Sequence, residues 1–214
     1  MEHKTVFRDM HRYRPAIIAI IVYSALLLLS FHYSIREGLG RAESLHDPSC
    51  SWLYIRRLLL IAAALLAPQL SGMRGFGMYG WHISLRWLGI AVALGIVIGF
   101  GNKGGFDPRH PSALALACFH AGATELFFRA YLISAFSRSF SGFWLPVILA
   151  SLLYGIFYMT VWTAWHQQPL GRLLFIVLFS LIGLIHGYCY KKSKSFFVPW
   201  IMHFLGVLRY RLFL

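Results

Sequence analysis

The chain has 214 residues, of which 58% are hydrophobic and 13% are charged. A typical soluble domain carries about 25% charged residues, and a single core of this size cannot enclose so much apolar surface. The composition therefore excludes an ordinary soluble enzyme and predicts helix faces that contact lipid. The formal net charge is +13, but the basic residues cluster between apolar runs, as they do beside anionic headgroups. Membrane lipids, not nucleic acid, are the expected partners.

Apolar runs recur along the whole chain, each close to the about 20 residues that a helix needs to cross a bilayer. The runs cover residues 15–31, 53–70, 87–101, 112–136, 143–165, 170–190 and 196–213. None alternates polar and apolar residues as a barrel strand would. We therefore predict an all-α, polytopic integral membrane bundle of about seven transmembrane helices.

The chain divides into three regions on this pattern. Residues 1–14 form a basic N-terminal tail, residues 15–110 hold the N-terminal transmembrane helices and loops, and residues 111–214 hold the core helices. The first apolar run lacks a following cleavage site of small residues, so we read it as a retained span. Near the start of the second run, Arg56 and Arg57 are expected to snorkel to the membrane interface.

Ionisable groups inside apolar runs are costly and need an explanation. Glu125 is the only acidic residue within such a run, and Arg129 follows it four residues later. On a helix this spacing puts both side chains on one face and predicts an inward ion pair. The pair is either a structural lock or a functional carboxylate, and the sequence alone leaves both readings open.

Three histidines also lie within apolar runs, namely His120, His186 and His203. A lone buried histidine is more often a hydrogen-bonded core group than a catalyst, so none is singled out by its position alone. There is no HExxH sequence, which excludes a zincin site, and the Gly99–Gly104 GxGxxG pattern ends a membrane helix, where no nucleotide-binding βαβ unit fits. We therefore expect no metal and no cofactor.

Three segments resemble the motifs of the CAAX-protease and bacteriocin-processing (CPBP, or Abi) family of intramembrane endopeptidases. The segment 124–132 resembles a first motif that usually reads Glu-Glu-x-x-x-Arg. The segment 151–159 resembles a second motif, an aromatic followed after three residues by His. The segment 183–207, with its paired glycines and His203, resembles a third that usually ends His-x-x-x-Asn. The resemblance spans roughly 111–208, so the core region is CPBP-like.

The resemblance implies a role for the polar residues that match these motifs. Glu125, Arg129 and His203 are the expected catalytic residues, and Thr124, Tyr158 and His186 are expected to bind substrate. The sequence also departs from the family at three positions that are usually polar and catalytic. These positions are Thr124 in place of Glu, Tyr158 in place of His and Val207 in place of Asn.

Two functions remain open on this sequence. One is an endopeptidase of reduced activity that acts on membrane-associated peptides or proteins, with His186 or His120 filling the gap at the site. The other is a catalytically inactive pseudoprotease that binds a membrane partner subunit, a bacteriocin-type peptide or a lipid-linked substrate. A transporter fits less well, because no inverted repeat is visible. Either protein is expected in the bacterial cytoplasmic (inner) membrane.

Overall fold

A computed structural model describes residues 2–36, 51–73, 79–100, 106–160 and 168–208. The described residues form α-helices, joined in one place by a π-helix, and contain no strand, which confirms the all-α class. The elements are α1 (Glu2–Arg36), α2 (Ser51–Leu70), α3 (Leu85–Phe100), α4 (Pro111–Glu125), the π-helix (Leu126–Ile133), α5 (Ser134–Ser139), α6 (Trp144–Met159), α7 (Pro169–Ser193) and α8 (Phe197–Gly206).

Two of these helices are long and apolar enough to cross a membrane, by length and composition. They are the stretch His11–His32 of α1 and the whole of α7. The helices α3, α6 and α8 are apolar but shorter. The helical fold thus agrees with a membrane bundle. Helix length and composition support two spans, so the count of about seven stays a prediction.

Two boundaries differ from the sequence expectation. α1 begins at Glu2, so the basic tail is a continuation of the first helix, with Pro15 inside it. α6 ends at Met159, well before the end of the predicted run 143–165, and residues 161–167 lie outside the described part of the chain. Residues 37–50, residues 101–104 of the Gly99–Gly104 pattern and residues 209–214 at the end of the last predicted run are outside it too.

Proline and the backbone geometry of the turns define the ends of the helices around the site. Pro111 and Pro169 open α4 and α7, where the missing N–H of proline is one of the donors that the first turn cannot use. α7 ends at Ser193 and is capped by Lys194, which adopts a left-handed conformation with φ 54° and donates its N–H to the Tyr190 carbonyl. This turn sends the chain directly into α8.

Glycines allow the helices that carry the site to approach one another closely. A Cβ at Gly155 of α6 would lie 2.5 Å from the Ile176 carbonyl oxygen of α7. A Cβ at Gly95 of α3 would lie 2.7 Å from the Met202 carbonyl oxygen of α8. Lipid supplies little hydrophobic drive for helix association, so close packing at small residues is one of the interactions that hold a membrane bundle together.

The interior of the bundle is aromatic, and its outside is aliphatic. Phe127, Phe128 and Tyr131 of the π-helix are completely buried, and Phe128 packs against Tyr154 and Phe157 of α6. The outward faces of α1, α3 and α7 instead expose large aliphatic side chains, among them Ile21, Val97, Leu170 and Leu174. Exposed apolar faces on this scale are expected where lipid is the solvent.

Candidate active site

A buried ion pair lies at the junction between α4 and the π-helix. Glu125 is the last residue of α4, and Arg129 lies one turn later. Both side chains are fully buried, and the Arg129 Nε lies 3.2 Å from the Glu125 Oε2. The guanidinium also lies over the Tyr154 ring, 4.6 Å from its centroid. A π-helical stretch at this point is notable because such stretches are frequent at functional sites.

Two histidines from other helices converge on the second oxygen of the same carboxylate. The Nδ1 of His186, on α7, lies 3.0 Å from the Glu125 Oε1. The Nδ1 of His203, on α8, lies 2.6 Å from the same oxygen. Because an ionised carboxylate only accepts hydrogen bonds, both Nδ1 atoms must carry the hydrogen when the imidazoles are neutral. The Nε2 atoms of both rings are then left with a lone pair.

The arrangement gives His203 the geometry of a base. A carboxylate that holds the Nδ1–H of an imidazole fixes its tautomer and stabilises the imidazolium that forms when Nε2 takes a proton, as in the serine-protease triad. Arg129 places its positive charge beside the Oε2 of Glu125, which leaves the Oε1 for the two histidines. The site is therefore suited to general acid–base chemistry at the His203 Nε2.

Tyr158 stands where the family motif usually has a histidine, and its hydroxyl contacts the candidate base. The hydroxyl oxygen lies 3.3 Å from the His203 Nε2 and 3.0 Å from the His120 Nε2. The ring is buried and stacks on Phe179. The motif histidine is thus replaced by a tyrosine whose hydroxyl contacts the Nε2 of His203, the atom that would accept a proton.

The other two departures from the motifs have different outcomes. Thr124 is buried on α4, and its hydroxyl donates to the His120 carbonyl oxygen at 2.8 Å, inside its own helix. Val207 follows α8 and packs in an apolar cluster around Phe106 and Leu208. Neither side chain supplies a hydrogen bond to Glu125 or His203 in the described structure, and a role in binding substrate stays a prediction for Thr124, Tyr158 and His186.

Two arginines of α2, which the sequence predicted at the membrane interface, lie in the interior of the bundle. Arg56 and Arg57 do not snorkel to an interface, because both are buried, with 8% and 3% of their surface exposed. Arg57 donates from its Nε to the His120 Nδ1 at 3.1 Å. Arg56 instead contacts the Phe157 carbonyl oxygen and stacks over the Phe157 ring. The sequence did contain a sign of this burial, because charged side chains within an apolar run usually face the interior of a membrane bundle.

The cluster could also hold a metal ion by spacing alone. One ligand atom each from Glu125, His186 and His203 lies within 4.8 Å of the others, and all three residues are buried. In this structure, however, the two Nδ1 atoms are used in hydrogen bonds to the carboxylate itself. Both of these hydrogen bonds form between protein side chains alone, and the expectation of no metal remains a prediction.

Comparison with protein families supports the resemblance seen in the motifs. Residues 108–208 match the family model described as type II CAAX prenyl endopeptidase Rce1-like. The matched segment runs from the turn before α4 to the residue that follows Val207, so it contains Glu125, Arg129, Tyr158, His186 and His203. No curated protein and no solved structure matched the chain in the corresponding comparisons. The match covers just under half of the chain and agrees with the CPBP-type resemblance of that segment.

Proposed function

We propose, from the premise that residues 108–208 are an Rce1-like domain of the CAAX-protease kind, that the protein is an intramembrane endopeptidase of reduced activity. Its substrates are membrane-associated peptides or proteins. The observation that carries the proposal is the 2.6 Å contact between the Glu125 Oε1 and the His203 Nδ1 in a fully buried setting. Such a pair provides a base whose tautomer and orientation are already fixed.

In the proposed reaction His203 activates a water molecule for attack on a peptide carbonyl. The His203 Nε2 takes a proton from the water as the oxygen bonds to the carbonyl carbon. The imidazolium then gives that proton to the leaving nitrogen as the carbon–nitrogen bond breaks, which yields a carboxylic acid and an amine. Glu125 stabilises the imidazolium, while Arg129 and His186 hold Glu125 in place.

The low rate follows from the same geometry. The Tyr158 hydroxyl lies at the His203 Nε2 and must move before water can reach it. The usual Asn position carries Val207, which has no polar group to offer to an oxyanion. Losing one such donor costs about 10²–10³ in rate in a well-studied protease. We therefore expect slow turnover.

The membrane setting is also part of the proposal. We infer about seven membrane-crossing helices, because the shorter helices pack in one bundle with the two long apolar ones. The basic N-terminal flank of the first apolar run favours an inside N-terminus. The bacterial cytoplasmic membrane is the proposed location, with lipid and a membrane peptide or protein as partners.

A cleavage assay tests the proposal directly. The full chain would be reconstituted in lipid vesicles with a library of membrane-spanning and lipid-anchored peptides, and products would be read by mass spectrometry. The parent is expected to release defined fragments slowly, and His203→Gln to release none. Persistence of the cleavage in a metal chelator is expected, since the base needs no metal. Equal cleavage by His203→Gln would refute the proposal.

One observation favours the pseudoprotease instead, and the same assay separates it. Glu125 is fully buried and is already contacted by three side chains, Arg129, His186 and His203. A carboxylate in this state can serve as a structural lock with no reaction at all. An uncleaved library, together with one peptide class that binds the parent stably, is the outcome expected of a pseudoprotease.

A further inference from the structure

The site continues beyond Tyr158 into a part of the chain that the family match does not cover. Tyr158 contacts His120 on α4, and His120 contacts Arg57 on α2. Arg57 lies 51 positions before the first matched residue, 108. The contacts thus form a chain from Arg57 through His120, Tyr158 and His203 to Glu125, with separations of 3.1, 3.0, 3.3 and 2.6 Å.

The two ends of this chain decide the direction of every hydrogen bond in it. A guanidinium can only donate, so the His120 Nδ1 accepts from Arg57, and a neutral His120 must carry its hydrogen on Nε2. At the other end an ionised carboxylate can only accept, so the His203 Nδ1 donates, and the Nε2 of a neutral His203 accepts. The Tyr158 hydroxyl then accepts from His120 and donates to His203.

We propose that Arg57 and His120 form a positioning arm for Tyr158. The arm holds the Tyr158 hydroxyl as a hydrogen-bond donor to the His203 Nε2, and the hydroxyl thereby caps the atom that would accept a proton in catalysis. The role of this cap in catalysis rests on the proposed function, but the hydrogen-bond order does not. Arg57 fixes the tautomer of His120, and in that tautomer His120 donates to the Tyr158 oxygen, so the hydroxyl hydrogen remains for the His203 Nε2. Without Arg57, His120 can carry its hydrogen on Nδ1 and accept from Tyr158 at Nε2.

The neighbouring arginine offers a matched control on the same helix. Arg56 is also buried, but its hydrogen bonds go to the Phe157 carbonyl oxygen and the Thr160 hydroxyl, not to a histidine. Removing either arginine deletes one buried guanidinium from α2. Only the loss of Arg57 removes the donor to His120, so effects common to both variants report packing or charge alone.

The test is nitrogen NMR of the full chain in lipid nanodiscs with ¹⁵N-labelled histidine. The His120 signals are assigned by their loss in His120→Asn. In the parent, His120 is expected to be protonated at Nε2 and bare at Nδ1. Arg57→Leu is expected to lose that tautomer, Arg57→Lys to keep it because lysine still donates, and Arg56→Leu to keep it. A parent His120 protonated at Nδ1, or an unchanged tautomer in Arg57→Leu, would overturn the proposal.

A rate measurement extends the test to the cap itself. Tyr158→Phe removes only the hydroxyl, so it is expected to raise the rate of peptide cleavage several-fold over the parent. An equal or lower rate in Tyr158→Phe would refute capping, while the nitrogen signals would still report the hydrogen-bond order. A parent and a Tyr158→Phe variant that both lack cleavage would instead refute the proposed peptidase, and with it the cap's role in catalysis.

Discussion

Two carboxylate–arginine pairs lie close together in the sequence and differ in almost every physical respect. Asp107 and Arg109 lie in the turn before α4, with 25% and 64% of their side-chain surfaces exposed. Glu125 and Arg129 lie at the far end of the same helix and have none exposed. The first pair is in direct contact but open to water, where ion pairs contribute little. The second is shielded from solvent, so each partner depends on the other.

The difference shows why one pair belongs to a site and the other does not. Arg109, only two residues after Asp107, donates hydrogen bonds to its carboxylate, and these bonds involve no other helix. Glu125 collects partners from the π-helix, α7 and α8. A buried carboxylate must gather its hydrogen-bond donors from the surrounding protein, and that requirement brings the two histidines together.

The largest expected effect is on the buried pair. Glu125→Ala leaves the Arg129 guanidinium in the interior without its carboxylate, which costs about 3–5 kcal/mol for a fully buried pair. The expected result is a strongly lowered midpoint of thermal unfolding in detergent. Asp107→Ala is the control, and an equal midpoint for the two variants would contradict the difference between the pairs.

A double substitution sharpens this prediction. Arg129→Met in the Glu125→Ala background removes the stranded charge and leaves an apolar side chain of similar length. Replacing both members of a buried pair by apolar groups is often close to neutral, so the double variant is expected to recover part of the lost stability. A double variant that is less stable than Glu125→Ala would show that Arg129 is not stranded in the single one.

The next effect tests whether helix packing keeps the site buried. Gly155→Ala would place a Cβ 2.2 Å from the Ser180 Oγ and 2.5 Å from the Ile176 carbonyl oxygen, so α6 must move away from α7. Overpacking of this kind costs about 1–3 kcal/mol. Gly89→Ala is the control, because no heavy atom lies within 4 Å of its Cβ, and a helical Gly→Ala change gains about 0.5–1 kcal/mol. Similar unfolding midpoints for the two variants would contradict the close packing.

The smallest effect is expected at the exposed pair. Hydrogen bonds from Arg109 lower the pKa of the Asp107 carboxyl below its usual value. A carboxyl whose pKa is lower in the folded state adds stability above its unfolded pKa and loses it as the pH falls. Since the pair is exposed, this contribution is small. The unfolding midpoint of Asp107→Asn is expected to equal that of the parent both at neutral pH and at mildly acidic pH. A clear pH-dependent difference from the parent would show that the pair is not solvated.

Sequence patterns predicted the class of the fold and the central members of the site. The apolar runs predicted an all-helical bundle, and the four-residue spacing of Glu125 and Arg129 predicted their pairing. The first two inferences succeed because hydrophobic periodicity and the cost of buried charge act locally along the chain. The family resemblance pointed to His203, which the structure places beside Glu125, and its catalytic role stays a prediction.

Other features depend on three-dimensional packing and could not be predicted in the same way. The contact between Arg57 of α2 and His120 of α4 joins residues 63 positions apart, and no local pattern fixes such a pair. The loss of the motif histidine at Tyr158 suggested a gap, whereas the structure fills that position with a hydroxyl between two imidazoles. The π-helix after Glu125 also has no simple sequence signal, since its residues suit an α-helix equally well.

The central claim is that Glu125 and His203 act as one unit on a peptide substrate. Single-turnover cleavage rates of the parent, Glu125→Gln, His203→Gln and the double variant test it most directly, because residues that act together are strongly non-additive. The account predicts that each single variant loses nearly all of the rate and that the double variant is no slower than either. Losses that multiply in the double variant, or a Glu125→Gln rate equal to the parent, would contradict it.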